Sequence, residues 1–483
     1  MATTRNSYDV LIVGGGVAGC ALAYSLSTIT SKARPKQLRI GLIERSFAEP
    51  DRIVGELLQP GGCNALRKLG LGDCLEGIDA AAVRGYCVVN DGKQVHIPYP
   101  NGQEGRAFHH GKFIMALRKK ALTAPGVEGI EATVTSLLTA DGEHRVYGVC
   151  ATRKNSGTET KENFYAPLTF VADGCFSNFR AEVLSEAFEK PVTRSYFVGA
   201  ILKDVKLPID KHGTVALVRG SGPVLLYQIA EHDTRILIDV KAPLPSDLKQ
   251  FVLDKVLPEL PESVQPALVD ALNRERLRRM PNSFLPPIEQ GGEQSKEGAI
   301  LVGDSWNMRH PLTGGGMTVA FNDIVILTDL LRTVPNFEDW ACVSQILHAW
   351  HWSRKPLGST INILSIALYD LFGAEDESLE VLRVGCFKYF QRGGDCIREP
   401  VSLLAGISNR RFLLFWHFFA VAFYALWVMF THPRPVAVRK GGIEKQVMRR
   451  PGIEEYPWLL VKAVRVLWTA CIVFGPPLWS ELQ

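Results

Sequence analysis

The sequence predicts an α/β protein in which a discontinuous Rossmann-type domain is interrupted by an inserted antiparallel β-sheet and followed by a C-terminal helical region that anchors to a membrane. Three observations lead to this prediction. A strand, a glycine turn and a helix open the chain, two later segments each end an apolar strand in Asp beside Gly, and two long apolar runs lie near the end. A chain of 483 residues can bury a large core and form about two or three structural units.

The first observation is a dinucleotide-binding pattern. An apolar strand at residues 10–13 leads into a Gly-x-Gly-x-x-Gly turn, made by Gly14, Gly16 and Gly19, and then into a predicted helix. The first glycine permits a tight turn, the second lets the backbone approach a pyrophosphate, and the third allows close packing of helix and strand. A second strand, residues 38–43, ends in Glu44, whose carboxylate can accept from ribose hydroxyls. A glycine turn without a ligand stays the alternative.

Two later segments favour FAD over NAD. At residues 169–180 and 299–317 an apolar strand ends in Asp173 and Asp304 respectively, each beside a glycine and before a polar turn. A carboxylate at such a strand end can bond a ribityl hydroxyl. Gly314, Gly315 and Gly316 would present backbone N–H groups at a helix start, which suits the electron-rich edge of a reduced flavin.

In this order the three segments resemble the aromatic-hydroxylase-type flavin monooxygenases. The segment 173–180 matches the Asp-Gly motif of that class. Its Gly-Asp motif is matched by Gly303, Asp304, Pro311, Gly314, Gly316 and Asp323.

Composition excludes several other classes of function. A formal net charge of +4 gives no basic concentration for a nucleic-acid surface, so no nucleic-acid partner is expected. The ten cysteines form no Cys-x-x-Cys pair, which argues against zinc or dithiol chemistry and favours reduced thiols. His109 and His110 are adjacent but lack carboxylate or Cys neighbours in sequence, so no metal site is predicted.

The domain order follows from changes in periodicity along the chain. Residues 86–106 and 181–294 alternate apolar and polar side chains, as strands of an antiparallel sheet do. The predicted division is therefore a dinucleotide-binding domain at 1–85, 107–180 and 295–345, a substrate-binding sheet at 86–106 and 181–294, a helical region at 346–402 and membrane-associated helices at 403–483.

The two apolar runs near the end favour in-plane or re-entrant anchoring in a membrane. Residues 412–430 are interrupted chiefly by His417, whereas the run 458–474 carries Lys462, Arg465 and Thr469 on one helical face. A basic linker at 431–455 would lie near anionic headgroups. A spanning helix and a buried core pair stay alternatives. Because the three flavin segments lie before residue 325, we expect a cofactor site that is complete without this tail.

Several segments resemble the squalene monooxygenase (squalene epoxidase) family, its fungal members in particular. They are residues 51–62, 106–115, 284–287, 307–320 and 386–396. The resemblance implies epoxidation of squalene to (S)-2,3-oxidosqualene by O₂ on FAD, with electrons from NADPH through NADPH–cytochrome P450 reductase, as a step of sterol (ergosterol) biosynthesis. It also implies a location at the cytosolic face of the endoplasmic reticulum membrane, with lipid droplets as a second site. A flavin monooxygenase of another lipid or triterpene, and a non-catalytic membrane protein with a flavin fold, stay alternatives.

The resemblance also implies roles for single residues. Val17 and Ala18 lie beneath the pyrophosphate, and Glu44 and Arg45 hold the adenosine ribose and its neighbouring groups. The remaining residues implied to line or close the FAD site are Arg52, Leu57, Arg118, Val134, Asp304 and Met317. Tyr86 positions Gln59 near the flavin and shapes the substrate pocket, so this pair is predicted to be catalytic. On the residues alone, a core position for Tyr86 and a solvated helix position for Arg118 stay alternatives.

Overall fold

The computed structural model describes residues 6–29, 36–140, 144–155, 158–274, 276–373, 376–440 and 443–482. The strands are β1 (Val10–Val13), β2 (Ile40–Glu44), β3 (Leu57–Leu58), β4 (Ala81–Val83), β5 (Gly85–Asn90), β6 (Lys93–Pro98), β7 (Gly105–Ala107), β8 (Val127–Glu131), β9 (Thr133–Thr139), β10 (Val146–Asn155), β11 (Thr158–Tyr165), β12 (Leu168–Val171), β13 (Val192–Lys203), β14 (Gly213–Ala216), β15 (Val224–Gln228), β16 (Asp233–Lys241), β17 (Arg278–Phe284), β18 (Ala299–Leu301), β19 (Arg434–Lys440) and β20 (Ile443–Arg449). The α-helices are α1 (Val17–Ser27), α2 (Pro60–Lys68), α3 (His110–Leu122), α4 (Arg180–Leu184), α5 (Leu248–Phe251), α6 (Gln265–Arg274), α7 (Gly316–Leu331), α8 (Trp340–Phe372), α9 (Glu377–Gln391), α10 (Asp395–Leu404), α11 (Arg411–Thr431) and α12 (Tyr456–Leu482).

A five-stranded parallel sheet forms the first structural unit, in the order β18-β12-β1-β2-β8. The residues of β1, β12 and β18 are all buried, as expected for parallel strands covered on both faces. Helix α1 contacts both α3 and α7 beside the sheet, and the β9–β11 sheet contacts β2 and β12. Because all five strands run the same way, their carboxyl ends lie at one edge, where the predicted flavin segments begin.

A seven-stranded sheet in the order β17-β13-β16-β15-β14-β5-β6 forms the second unit. Strands from both predicted insertions, 86–106 and 181–294, therefore lie in one sheet, although the exact domain boundaries stay a prediction. Its pairs are antiparallel except that β14 and β5 run parallel. One face packs against Tyr369 of α8 and Phe387 of α9, and the other packs against α5 and α6.

Two C-terminal helices are long and apolar enough to cross a membrane, among the residues that the structure describes. They are residues 411–431 and 453–481. Only 33% and 22% of their most apolar windows are buried, which argues against the buried core pair. α11 packs against α9, and α12 packs against α8 and α9, so each helix has one inward face. The outward faces expose large aromatic side chains, including Trp416, Trp427 and Trp468.

The predicted basic linker has its own structure. Its first half forms β19, which pairs antiparallel with β20, while residues 441–442 lie outside the described part of the chain.

Lys462 of α12 forms an ion pair with another helix: its Nζ lies 3.0 Å from the Glu377 carboxylate at the start of α9. The polar stripe predicted for this helix therefore serves partly in helix packing.

Candidate functional site

The glycine turn between β1 and α1 leaves an open space at its tip. Gly14 has a φ of 108°, and a Cβ there would meet the Ala172 carbonyl oxygen at 2.5 Å. A Cβ on Gly19 would meet the Gly14 carbonyl oxygen at 1.8 Å, so helix and strand approach as predicted. At Gly16 a Cβ would meet nothing within 4 Å among the described residues. The N-terminus of α1 has no acidic side chain in its first turn, so its N–H groups suit an anion in that space.

Glu44 and Arg118 hold this turn from the side of β2. The Gly15 N–H donates to the Glu44 carboxylate at 2.6 Å, while Arg118 Nε donates to the Gly15 carbonyl at 2.9 Å. Arg118 Nη1 also donates to the Ala48 carbonyl at 2.6 Å. Arg118 is only 5% exposed, so the solvated-helix alternative is wrong. Its guanidinium orders the turn directly, in addition to any contact that it makes with a phosphate.

The three predicted flavin segments meet at the carboxyl edge of the parallel sheet. A Cβ on Gly303 would lie 2.9 Å from Ala18 Cβ, which puts the Gly-Asp loop against the start of α1. Arg180 joins the other two loops, because its Nη2 donates to the carbonyls of Cys175 at 2.8 Å and Asp304 at 2.9 Å. The Asp-Gly motif includes Arg180, but the sequence did not predict that Arg180 would hydrogen-bond to both loops.

Two carboxylates at this edge have the environment that a cofactor would complete. Asp304 is exposed although it follows the buried strand β18. Asp173 is half-buried, its Oδ1 has no hydrogen-bond partner in the described part of the chain, and desolvation raises the pKa of its carboxyl group. Unsatisfied buried acceptors are unusual in native proteins. Together with the open turn at Gly16, these atoms fit a dinucleotide with hydroxyl and phosphate groups.

The loop after Asp304 ends in a glycine turn that opens α7. Residues 311–313 form a short 3₁₀ helix, and Gly314 follows with a φ of 60°, which a glycine adopts without strain. α7 then begins at Gly316 with no acidic residue in its first turn. Its first N–H groups therefore provide the positive end of a helix beside the loop, where negative charge is stabilised.

Gln59 connects this loop to the seven-stranded sheet. Its Nε2 donates to the Thr313 carbonyl at 2.6 Å and to the Tyr86 hydroxyl, and its Oε1 accepts from the Tyr99 hydroxyl at 2.5 Å. Tyr86 and Tyr99 are 6% and 4% exposed, and burial raises the pKa of both phenols. Both therefore stay neutral. Tyr99 was missed by sequence reasoning because only the β5–β6 hairpin brings it back to Tyr86.

The other predicted residues surround the same edge at different depths. Arg45 and Arg52 are exposed after β2, and Arg52 Nη2 lies 3.3 Å from Cys175 Sγ. Leu57 in β3 lies 3.2 Å from a Cβ built on Gly314, which places it against the loop. Met317 is 9% exposed in the first turn of α7, whereas Val134 is half-buried in β9. Pro311 opens the short 3₁₀ helix before Gly314.

The adjacent histidines have separate protein partners. His109 Nε2 lies 2.9 Å from Asp233 Oδ2, and His110 Nδ1 lies 2.9 Å from the Gly55 carbonyl. Burial lowers the pKa of His110 to about 4, which keeps it neutral. Within the ranges that the structure describes, no group of three His, Cys, Asp or Glu residues could hold a metal ion.

The C-terminal tail contacts residues beside the flavin segments, which the sequence did not predict. The Gly61 N–H at the start of α2 donates to the Ala405 carbonyl at 2.9 Å. Glu481 in the last turn of α12 is 3% exposed and accepts from Asn362 Nδ2 at 2.6 Å, and Asn362 in turn contacts Asn307. Sequence spacing gave no signal for this contact, since 119 residues separate Glu481 from Asn362.

Solved structures of flavoproteins share this architecture at low sequence identity. PqsL of Pseudomonas aeruginosa, described as "a probable FAD-dependent monooxygenase", gives a TM-score of 0.62 at 19% identity, and the match covers 76% of this chain and 97% of PqsL. The flavin-dependent brominase Bmp2 gives 0.66 at 16% identity, covering 86% of this chain and 99% of its own. These likenesses establish the fold.

Sequence relatives match nearly the whole chain. A family model described as squalene epoxidase matches residues 165–440. The squalene epoxidase of Aspergillus fumigatus is 44% identical, covering 99% of this chain and 94% of that protein. The squalene monooxygenase of Mus musculus is 42% identical, covering 98% of this chain and 78% of that protein. The glycine turn, the two Asp loops and these matches agree, and the chain belongs to the squalene epoxidase family.

Proposed function

We propose that this protein is an FAD-dependent monooxygenase that epoxidises squalene to (S)-2,3-oxidosqualene in sterol biosynthesis. One oxygen atom of O₂ enters the alkene and the other leaves as water, with two electrons from NADPH. The observation that carries the proposal is the contact of Gln59 with both sides of the site, namely the loop before Gly314 and the buried face of the seven-stranded sheet. That contact brings a flavin-binding loop against an apolar surface.

The chain supplies binding, orientation and exclusion of water. FAD, when bound, supplies the activation of O₂ and the transfer of oxygen. The start of α1 would hold the pyrophosphate, Asp304 a ribityl hydroxyl, and the start of α7 the electron-rich edge of the ring system. An isolated alkene has no proton to lose, so the neutral Gln59, Tyr86 and Tyr99 are suitable neighbours, and no strong base is needed.

A hydrocarbon substrate requires an apolar surface beside that loop. The cluster that includes Tyr86 contains buried side chains from the sheet, the loop and α8–α10, among them Phe197, Leu312, Phe372 and Phe387. Packing of this kind aligns an alkene and keeps water from the reacting centre. The half-buried Leu368 and Leu371 of α8 extend the cluster toward the C-terminal helices.

The membrane and the electron donor complete the proposal. The outward aromatic faces of α11 and α12 suit in-plane insertion into one leaflet, because one face of each helix packs on the protein. We assign them to the cytosolic face of the endoplasmic reticulum, with lipid droplets as a second site. NADPH–cytochrome P450 reductase is the proposed electron donor, as the resemblance to the squalene epoxidase family implies.

The decisive experiment is reconstitution with defined components. Full-length protein, FAD, NADPH, cytochrome P450 reductase and vesicles containing squalene should form 2,3-oxidosqualene, detected by mass spectrometry. Omitting the reductase should stop the reaction. A flavin-containing protein that oxidised a different lipid but not squalene would support the second monooxygenase interpretation, and a protein that bound no flavin would support a non-catalytic role.

Replacing Tyr86 by Phe should lower epoxidation without loss of FAD. The change removes the hydroxyl that accepts from Gln59, while Gln59 keeps its bond to Thr313. A single hydrogen bond contributes about 0.5–1.5 kcal/mol, so kcat should fall roughly 2- to 12-fold. Tyr165→Phe, at the far β11 edge, is the control. Equal turnover in Tyr86→Phe and wild type would return Tyr86 to a packing role.

A further inference from the structure

The last turn of α12 ends in a buried polar cluster beneath the loop 307–316. Glu481 Oε2 accepts from Ser359 Oγ at 2.8 Å, and Glu481 Oε1 accepts from Asn362 Nδ2 at 2.6 Å. The Glu481 backbone carbonyl also accepts from Lys355 Nζ at 2.7 Å. All four residues are at most 6% exposed, so the carboxylate is satisfied by protein groups in a site largely closed to water.

Asn362 connects this carboxylate to the loop 307–316 through hydrogen bonds on both sides of its amide. A carboxylate only accepts, so it fixes the Asn362 amide with its NH₂ toward Glu481 and its oxygen on the other side. That oxygen accepts from Arg309 Nε at 2.6 Å. With the amide reversed, its NH₂ would face the Arg309 Nε–H, and two donors would oppose each other. Glu481 and Arg309 therefore both favour the same Asn362 orientation, and Glu481 holds the amide in place from the side of α12.

Arg309 in turn joins the two ends of the loop. Its Nη2 donates to the Asn307 carbonyl at 3.2 Å, and its Nη1 donates to the Gly316 carbonyl at 3.3 Å. Arg309 is 8% exposed and lies between the Asp304 turn and the start of α7. A guanidinium that contacts both carbonyls limits how far the ends of the loop can separate, and this loop contains Gly314 and Gly315.

We propose that Glu481 is a positioning residue for the flavin site, which it reaches through Asn362 and Arg309. The loop 307–316 would then take its flavin-binding form only when the last turn of α12 is seated. This inference rests on the proposed function, because that function assigns the loop to the flavin. The C-terminal helix would then have two roles. It exposes Trp468 and Trp479 on its outward face, and its last turn holds the loop 307–316 through Asn362 and Arg309.

The test measures FAD affinity in the full-length protein after removal of bound flavin. Glu481→Gln keeps the size of the side chain but replaces the charged acceptor of the Asn362 NH₂ by a neutral amide, which weakens the hold of α12 on Asn362. We expect its Kd for FAD, from quenching of flavin fluorescence in phosphatidylcholine vesicles, to rise roughly 10-fold, the range of a lost hydrogen bond to a charged group. Glu454→Gln is the matched control, because its carboxylate lies before α12 and its side chain is 72% exposed.

A second control separates relay from docking. Ser359→Ala removes a donor to Glu481 without touching Asn362, so the proposal expects a Kd near that of wild type. Equal weakening in Ser359→Ala and Glu481→Gln would overturn the relay, and so would an unchanged Kd in Glu481→Gln. If Glu481→Gln did not fold, Asn362→Ser is measured instead. We expect the same rise in its Kd for FAD, and an unchanged Kd would overturn the relay. Wild-type protein that bound no FAD would contradict the proposed function instead.

Discussion

Asp304→Ala is expected to purify with little or no FAD. The carboxylate follows the buried strand β18, yet it is exposed at the edge where the glycine turn and the Asp173 loop converge. Its backbone carbonyl is already held by Arg180, so the loop should keep its place when the side chain is removed. The loss of one charge-assisted hydrogen bond corresponds to about 1.5–3 kcal/mol, or a roughly 10- to 150-fold weaker Kd.

The measurement is the ratio of flavin to protein after gel filtration, followed by titration of the apo form. Asp329→Ala is the control, because Asp329 lies in α7, the helix that follows the Asp304 loop. Its side chain is 71% exposed, and its nearest oxygen lies 3.9 Å from Arg332 Nη2. Asp304→Ala with stoichiometric, tightly held FAD would remove Asp304 from the cofactor site and weaken the assignment of the whole loop.

The parallel sheet could be predicted because its signals are local. A strand, a glycine turn and a helix lie within twenty residues, and the steric reasons for Gly14 and Gly19 are visible as close backbone approaches in the structure. The Asp loops are equally local, each being a strand end with its turn. The parallel pair β14–β5 was not predicted, because its strands come from different segments and periodicity does not state the direction of a partner.

The candidate site was predictable wherever a motif names a residue, and less so where a contact spans the chain. Gln59 and Tyr86 were expected near each other and lie in contact, but Tyr99, directly after β6, completes the group. Arg180 links loops 124 residues apart. Glu481 and Asn362 have no motif at all, since any polar residue in an apolar helix is equally consistent with a solvent-facing position.

The tail shows why apolar runs alone do not decide a topology. α11 and α12 have the length and hydropathy of spanning helices, yet each places one face on the protein, where His417 lies between Tyr389 and Glu399. A polar residue in an apolar run can thus be satisfied inside the fold. Composition records how much apolar surface exists, but only packing shows how much remains for lipid.

Deleting residues 403–483 is therefore expected to give protein that neither retains FAD nor stays dispersed, in contrast to the expectation from the sequence. The deletion exposes the α8 and α9 surfaces that α11 and α12 cover, and it leaves Lys355 and Asn362 without Glu481. Buried polar groups that lose their partners cost about 1–3 kcal/mol each, and more when charged. The loss is measured as flavin content in the supernatant and pellet after ultracentrifugation.

A surface variant separates the anchor from the fold. Replacing Trp416, Trp427 and Trp468 by Ser in the full chain changes side chains that are 68%, 60% and 67% exposed, so packing against α8 and α9 should be kept. This variant should bind FAD like wild type but sediment less with vesicles, because apolar burial at the interface is reduced. High salt alone should release little wild-type protein, since screening acts only on the electrostatic part of membrane binding. For the deletion of residues 403–483, the contrary outcome is a truncated protein that stays dispersed and holds stoichiometric FAD. That result would show that α11 and α12 serve only in membrane binding.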